Sequence, residues 1–248
     1  MGLKVITIDF WNTLFDSTNA VERNRIRNQS IKASLLDISH DISEKEIKDA
    51  ISASWGYFNK LWTEEMRTPL PKESVEFFWD YLHLPKDEAA ISKVVRSFET
   101  AILSSPPSLI QDAGYAVSAL SKEYKLGIIS DTGFTPGSVL KIILKEAGIF
   151  DFFSAFSFSD ETNVAKPQPK AYLKILEELQ VQPNEALHIG DIEQTDIKGA
   201  KALGMKAIRF SGDPSNLSKP NTVKTAADFE CFNWNEVVIA IHRLEVNQ

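Results

Sequence analysis

From residue 106 onward, short apolar runs alternate with helical patterns, and no other feature constrains the fold of this chain as much. Residues 125–129 (Lys-Leu-Gly-Ile-Ile), 186–189 (Ala-Leu-His-Ile) and 206–210 (Lys-Ala-Ile-Arg-Phe) read as strands, with a weaker one over 152–158. Between them lie helical spacings, Tyr172, Ile175, Leu176 and Leu179 in one case, Ala116 and Leu120 in another. Strands and helices in alternation form a mostly parallel sheet with helices on both faces, because a parallel neighbour is reached only through a crossover. One more apolar run, Val5-Ile6-Thr7-Ile8, lies far upstream and is expected to join the same sheet.

The residues between that first strand and the alternating part have a different texture. From about 19 to 104 the pattern is helical, with almost no strand signal. Ser43 followed three residues later by Glu46 is a capping box, ahead of Ile47, Ile51, Trp55 and Phe58 at helical spacing. Val75, Phe78, Trp79 and Leu82 make a second apolar face; Ile91, Val94, Val95, Phe98 and Ile102 make a third. Pro106-Pro107 closes the segment as a stiff junction. The expected architecture is therefore α/β: a Rossmann-like core built from 1–15 and 106–248, with an α-helical cap inserted over 16–105.

A chain of 248 residues has room for such a core and a smaller module. Its net charge of -7 is spread without acidic or basic blocks, which recommends neither nucleic acid nor a membrane as partner. No apolar stretch approaches the roughly 20 residues of a membrane span. Cys231 is the only cysteine, so disulfides and thiolate metal sites are excluded. A cytoplasmic location is expected, and both a monomer and a homodimer remain open.

Chemistry-bearing residues fall at the ends of the expected strands. Asp9 ends the first run and is followed by Phe10, Trp11, Asn12, Thr13 and Leu14. Ser130 follows Ile128-Ile129, and Lys166 precedes Pro167-Gln168-Pro169, whose prolines suit a helix start. Gly190-Asp191 and Asp196 follow the strand that contains His188, itself read as a strand residue with a satisfied ring. In open α/β sheets ligands bind beyond the carboxyl ends of the strands, where all of these lie. Asp9, Asp191 and Asp196 would then crowd three carboxylates together, raising at least one pKa unless a hard cation with oxygen ligands offsets the repulsion.

These four segments, in this order and with a helical insert after the first, resemble the motifs of the haloacid dehalogenase-like hydrolases that carry an α-helical cap between the first and second motifs. The resemblance implies an aspartyl nucleophile at Asp9, with Ser130, Lys166 and backbone amides around Asn12 and Asp131 holding the phosphoryl oxygens. It implies Mg²⁺ on Asp9, Asp191 and the backbone carbonyl of Trp11, with Asp196 in direct or water-mediated support, and Thr13 steadying the loop. The substrate would be a small anionic, phosphorylated molecule.

One position departs from the resemblance. Trp11 stands where its phosphatases carry a second Asp as general acid and base, and an indole neither donates nor accepts that proton. Three readings follow: a phosphate-ester hydrolase, with Asp131, Glu64 or Glu65 as conceivable substitutes; a non-catalytic phosphate or metabolite binder; and a metal-free 2-haloacid dehalogenase. The acidic fourth motif argues against the last. In the cap, Trp55, Tyr57, Phe58, Trp62 and Trp79 read as core, while Arg23 and Arg67 are the candidate substrate contacts, with Arg25 and Arg27 beside Arg23. Hinges are expected near 16–18 and 104–107.

Overall fold

The computed structural model describes residues 2–213 and 224–246. Six parallel strands form one sheet in the order β3-β2-β1-β4-β5-β6. They are β1 (Val5–Ile8), β2 (Lys125–Ser130), β3 (Phe153–Phe158), β4 (Ala186–Gly190), β5 (Lys206–Phe210) and β6 (Phe229–Cys231). β1 lies between β2 and β4, with Ile8 level with Ile128 on one side and Ile189 on the other. The carboxyl ends of these three strands therefore share one edge, and the order reverses there, at the crevice where such sheets take their ligands.

Both faces of the sheet are covered. On one, Ile6, Ile8, Ile128 and Ile189 pack under α5 (Ala113–Leu120), α6 (Gly137–Glu146) and α10 (Trp234–Val246). On the other, Val5, Ile129 and Ala207 meet α8 (Pro169–Leu179) and α9 (Lys198–Ala202). The short helix α7 (Ser159–Thr162) follows β3 directly. Strands buried on both faces explain why their sequences read as continuous apolar runs.

Between β1 and β2 runs the helical insert: α1 (Ala20–Asp37), α2 (Glu44–Lys60), α3 (Pro71–Tyr81) and α4 (Glu88–Ser104). It has a hydrophobic cluster of its own, with Ile31, Ile47, Phe78, Trp79 and Ile91 among its buried members. α2 begins at the expected box: Glu46 N–H donates to Ser43 Oγ at 3.3 Å and Ser43 N–H to Glu46 Oε2 at 2.9 Å. It continues into a wide π-type turn, Leu61–Glu65, which swings Trp62 towards the sheet. The two connections between insert and core are cross-tied, Asp16 N–H to the Ser108 carbonyl (3.0 Å) and Asn19 Nδ2 to the Pro106 carbonyl (2.9 Å).

Several boundaries differ from the sequence reading. β2 and β4 each run one residue further, so Ser130 and Gly190 are strand residues, because neighbouring strands continue their hydrogen bonding past the apolar run. Phe152 belongs to a tight turn, Phe150–Phe152, and β3 starts at Phe153. β6 was not expected: three residues are too few to show a pattern, and pairing with β5 makes them a strand. Trp55 is 43% exposed rather than core, standing against Phe134 of the core. Among the described residues no helix is long and apolar enough to cross a membrane.

Trp79 is 1% exposed in the middle of the insert's cluster. Trp79→Ala is expected to cost about 3–5 kcal/mol, measured by urea denaturation; a cost under ~1 kcal/mol would contradict an insert that depends on its own core.

Candidate active site

Asp9 leaves the end of β1 with its N–H bonded to the Ile189 carbonyl of β4 (2.9 Å), which fixes it at the centre of the edge. The chain then turns sharply. Asn12 adopts φ 54, a left-handed conformation that asparagine tolerates. Phe15 N–H donates to the Phe10 carbonyl and Asn12 N–H to the Phe15 carbonyl. Because Phe10 and Asn12 spend these groups on Phe15, the carbonyl of Trp11 projects from the opposite side of the ribbon. Trp234, on α10, braces the turn by donating Nε1–H to the Thr13 carbonyl at 3.1 Å.

Lys166 reaches the same place from the loop before α8. Its Nζ lies 2.7 Å from Asp9 Oδ1 and 2.6 Å from Asp196 Oδ1, and its side chain is 3% exposed. Asp196 also accepts at Oδ1 from His188 Nε2 (3.0 Å) and at Oδ2 from Ile192 N–H (2.9 Å). It packs so tightly on the end of β4 that a Cβ on Gly190 would lie 2.3 Å from its Cγ. Only glycine fits there. His188 is buried and satisfied, as expected, with Nδ1 2.9 Å from Thr7 Oγ1. Asp9, Asp191 and Asp196 each bring a carboxylate oxygen within 4.8 Å of the others, a set able to hold a hard cation.

The cluster divides its charge unevenly. Burial lifts the Asp9 carboxyl to about 6, with Lys166 opposing and the charge of Asp196 adding. Burial, then Asp196 and Asp9, hold Asp191 well above the usual carboxylate range. Burial would raise Asp196 too, but Lys166 and His188 outweigh it and keep that carboxyl low. Burial works against the Lys166 charge, yet Asp196, Asp9 and Asp131 keep its pKa well above the ordinary value. One ammonium cannot balance every carboxylate, so the affinity for protons, or for another cation, falls on Asp9 and Asp191.

Ser130 Oγ, at the end of β2, is buried with no hydrogen-bond partner among the described residues. Asp131, next to it, accepts from Lys166 N–H at Oδ1 (2.9 Å) and from Trp62 Nε1–H at Oδ2 (2.8 Å). Burial raises its carboxyl, with Lys166 and Trp62 opposing. The Trp62 contact comes from the insert and had no signal in the sequence, since it exists only once insert and core meet. The same holds for Met66, whose carbonyl accepts from Ala165 N–H at 2.7 Å, and for Thr68, 2.5 Å from Ser159 Oγ.

Three expectations need correction. The amide of Asn12 is committed to Phe15 and does not face a ligand; the Asn12 side chain instead reaches Asp191, Nδ2 to Oδ2 at 3.4 Å. Arg67 is held by Glu65 and Glu73, each at 3.2 Å, rather than standing free in its loop. Of the substitute acids, Glu64 is exposed and Glu65 is paired with Arg67, leaving Asp131 at the site. Arg23 is buried, its guanidinium 5.7 Å from the Trp11 ring centroid.

A glyceraldehyde 3-phosphate phosphatase of Methanopyrus kandleri is 24% identical over 245 residues, 98% of each chain. One of Pyrococcus abyssi is 29% identical over 211 residues, 84% of this chain and 81% of that one. In fold, the crystal structure of 2-haloacid dehalogenase from Pseudomonas syringae pv. tomato superposes with a TM-score of 0.70 at 18% identity, covering 98% of this chain and 99% of that one. Residues 3–204 match the family described as haloacid dehalogenase-like hydrolase. With that match across most of its length, the chain belongs to the haloacid dehalogenase-like hydrolases.

Proposed function

We propose that the chain is a Mg²⁺-dependent phosphatase acting on small phosphate monoesters, with Asp9 as nucleophile. The observation that carries this reading is the cluster of Asp9, Asp191 and Asp196 within 4.8 Å, with Lys166 bridging Asp9 and Asp196. Three carboxylates around one point suit a reaction with a hard cation better than a metal-free carbon–halogen hydrolysis. The relatives' names point the same way.

The donor set fits the metal. Asp9, Asp191 and the Trp11 carbonyl would hold it, while Asp196, whose two oxygens already accept hydrogen bonds, suits an outer supporting place. Bound there, Mg²⁺ supplies positive charge to the phosphoryl oxygens. Lys166 Nζ, close to Asp9, and Ser130 Oγ provide the remaining donors. An oxygen of Asp9 attacks phosphorus in line; the ester P–O bond breaks and its electron pair leaves with the alcohol oxygen. Water then attacks the aspartyl-phosphate, phosphate departs and the Asp9 carboxylate is restored. The helical insert acts as a cap over the edge, held by Trp62 on Asp131 and Met66 on Ala165, with 16–18 and 104–107 as its hinges.

Asp9→Asn is expected to abolish phosphate release from an aryl phosphate in the presence of Mg²⁺. Release that persists in the variant rules out the aspartyl mechanism.

Trp11 leaves the departing alkoxide without the usual proton donor, a loss worth ~10²–10⁴ in rate, or about 3–5 kcal/mol of barrier. Single-turnover rates should therefore fall by at least ~10²-fold from aryl to alkyl phosphates. A flat dependence on leaving group would show that another acid, with Asp131 the first candidate, takes over.

With the Asp9 carboxyl raised to about 6, a proton competes for the metal's own ligand. Below that pH the proton is retained and Mg²⁺ must displace it; above it the carboxylate is already free. Calorimetric Mg²⁺ affinity is expected to weaken as pH falls through about 6. A constant affinity between pH 7.5 and pH 5, each about a unit or more from that value, counts against Asp9 as a ligand.

A further inference from the structure

Arg23 and Arg27 lie one turn apart on α1 and are 5% and 9% exposed. The Arg23 guanidinium stands 5.7 Å over the ring of Trp11, and that of Arg27 stands 5.1 Å over Phe134 and 5.8 Å over Phe98. Trp11 belongs to the loop after β1, and Phe134 to the loop after β2. These strands are neighbours, and the same two loops begin beside Asp9 and Ser130. The arginine pair therefore bridges the two loops that frame the site, from the insert side.

Among the described residues, neither guanidinium has a carboxylate partner. Arg23 donates to the Ser105 carbonyl (3.1 Å); Arg27 donates to Asn24 Oδ1 (3.1 Å) and the Phe98 carbonyl (3.4 Å), and its Nε is buried with no partner. Among the described residues, no ion pair includes either arginine. The carboxylate whose field reaches Arg23 is Asp16, and its Oδ1 already accepts from Thr18 and Ser108. Arg25, on the exposed side of the same helix, is paired with Glu22. The contrast matters, because buried charge is costly without a counter-ion. Burial, then the neighbouring charge of Arg23, pull Arg27 down to about 10. Two cations held together in a dry place, against aromatic faces, form a receptor for an anion.

We propose that Arg23 and Arg27 receive a second oxyanion, carboxylate or phosphate, on the leaving-group part of the ester, so that the substrates are small, doubly anionic phosphomonoesters. The inference rests on the phosphatase reading for the first anion alone. It gives Trp11 a task that an aspartate could not perform: its ring is the platform under Arg23, whereas a carboxylate there would neutralise the receptor. Among the substrates in the relatives' names, glyceraldehyde 3-phosphate carries no second anion, whereas phosphoglycolate and phosphoserine carry a carboxylate.

The test is calorimetry on the whole chain with Mg²⁺ present, using probes that cannot be hydrolysed: 3-phosphonopropionate, ethane-1,2-diphosphonate and propylphosphonate. At least one doubly anionic probe is expected to bind about tenfold or more tighter than propylphosphonate, the scale of a charge-assisted, bidentate contact. Which of the two does so tells carboxylate from phosphate. That ratio should fall to within about threefold of unity in Arg23→Met and in Arg27→Met, with folding verified by circular dichroism. Equal binding of the three probes by the wild-type chain, which needs no variant, overturns the proposal. So does a ratio that survives both substitutions. A clear preference without turnover of any ester would sink the phosphatase reading and leave the receptor standing; turnover without preference would do the reverse.

Discussion

The Lys166 ammonium lies 2.7 Å from Asp9 and 2.6 Å from Asp196, and each of the three side chains is less than a tenth exposed. Removing one partner from such a buried set leaves an uncompensated charge, typically at a cost of about 3–5 kcal/mol, so the surrounding structure is organised to keep the three together. Gly190 makes room for Asp196, His188 and the Ile192 amide hold its two oxygens, and the Ile189 carbonyl fixes the backbone of Asp9. The positioning of a reactive carboxylate is thus inseparable from the order of the central strands.

What that arrangement lacks is balance. A single ammonium among several buried carboxylates leaves Asp9 and Asp191 with raised proton affinity. At Arg23 and Arg27 the deficit has the opposite sign: both are buried beside aromatic rings with no ion-paired carboxylate among the described residues. A molecule with a phosphoryl group at one end and a second anion at the other would satisfy both. Trp11 is the ring on which the Arg23 guanidinium rests.

The helical insert joins the two halves. It has a hydrophobic core of its own, and its contacts with the sheet edge include Trp62 on Asp131, Met66 on Ala165, Thr68 on Ser159, Arg23 on Trp11, and Trp55, Phe98 and Arg27 against Phe134. Asp131 and Phe134 lie in the loop after β2, Ser159 opens α7 directly after β3, and Ala165 neighbours Lys166, so these contacts gather around the carboxyl end of the sheet.

The sequence by itself determined the parallel strands, the helices that cover them and the place of the insert, because apolar periodicity is a local consequence of burial. It also located Asp9, Ser130, Lys166, Asp191 and Asp196, since strand ends and proline-framed turns are visible one segment at a time. Only the tertiary structure decided that Lys166 bridges Asp9 and Asp196, that Asn12 turns its amide inward and that Glu65 and Glu73 engage Arg67. It alone placed Arg27 over Phe134, 107 positions away in the chain, and made a strand of the three residues of β6. The division is physical: burial leaves its period in neighbouring residues, whereas a contact between distant groups leaves none until the chain has brought them together.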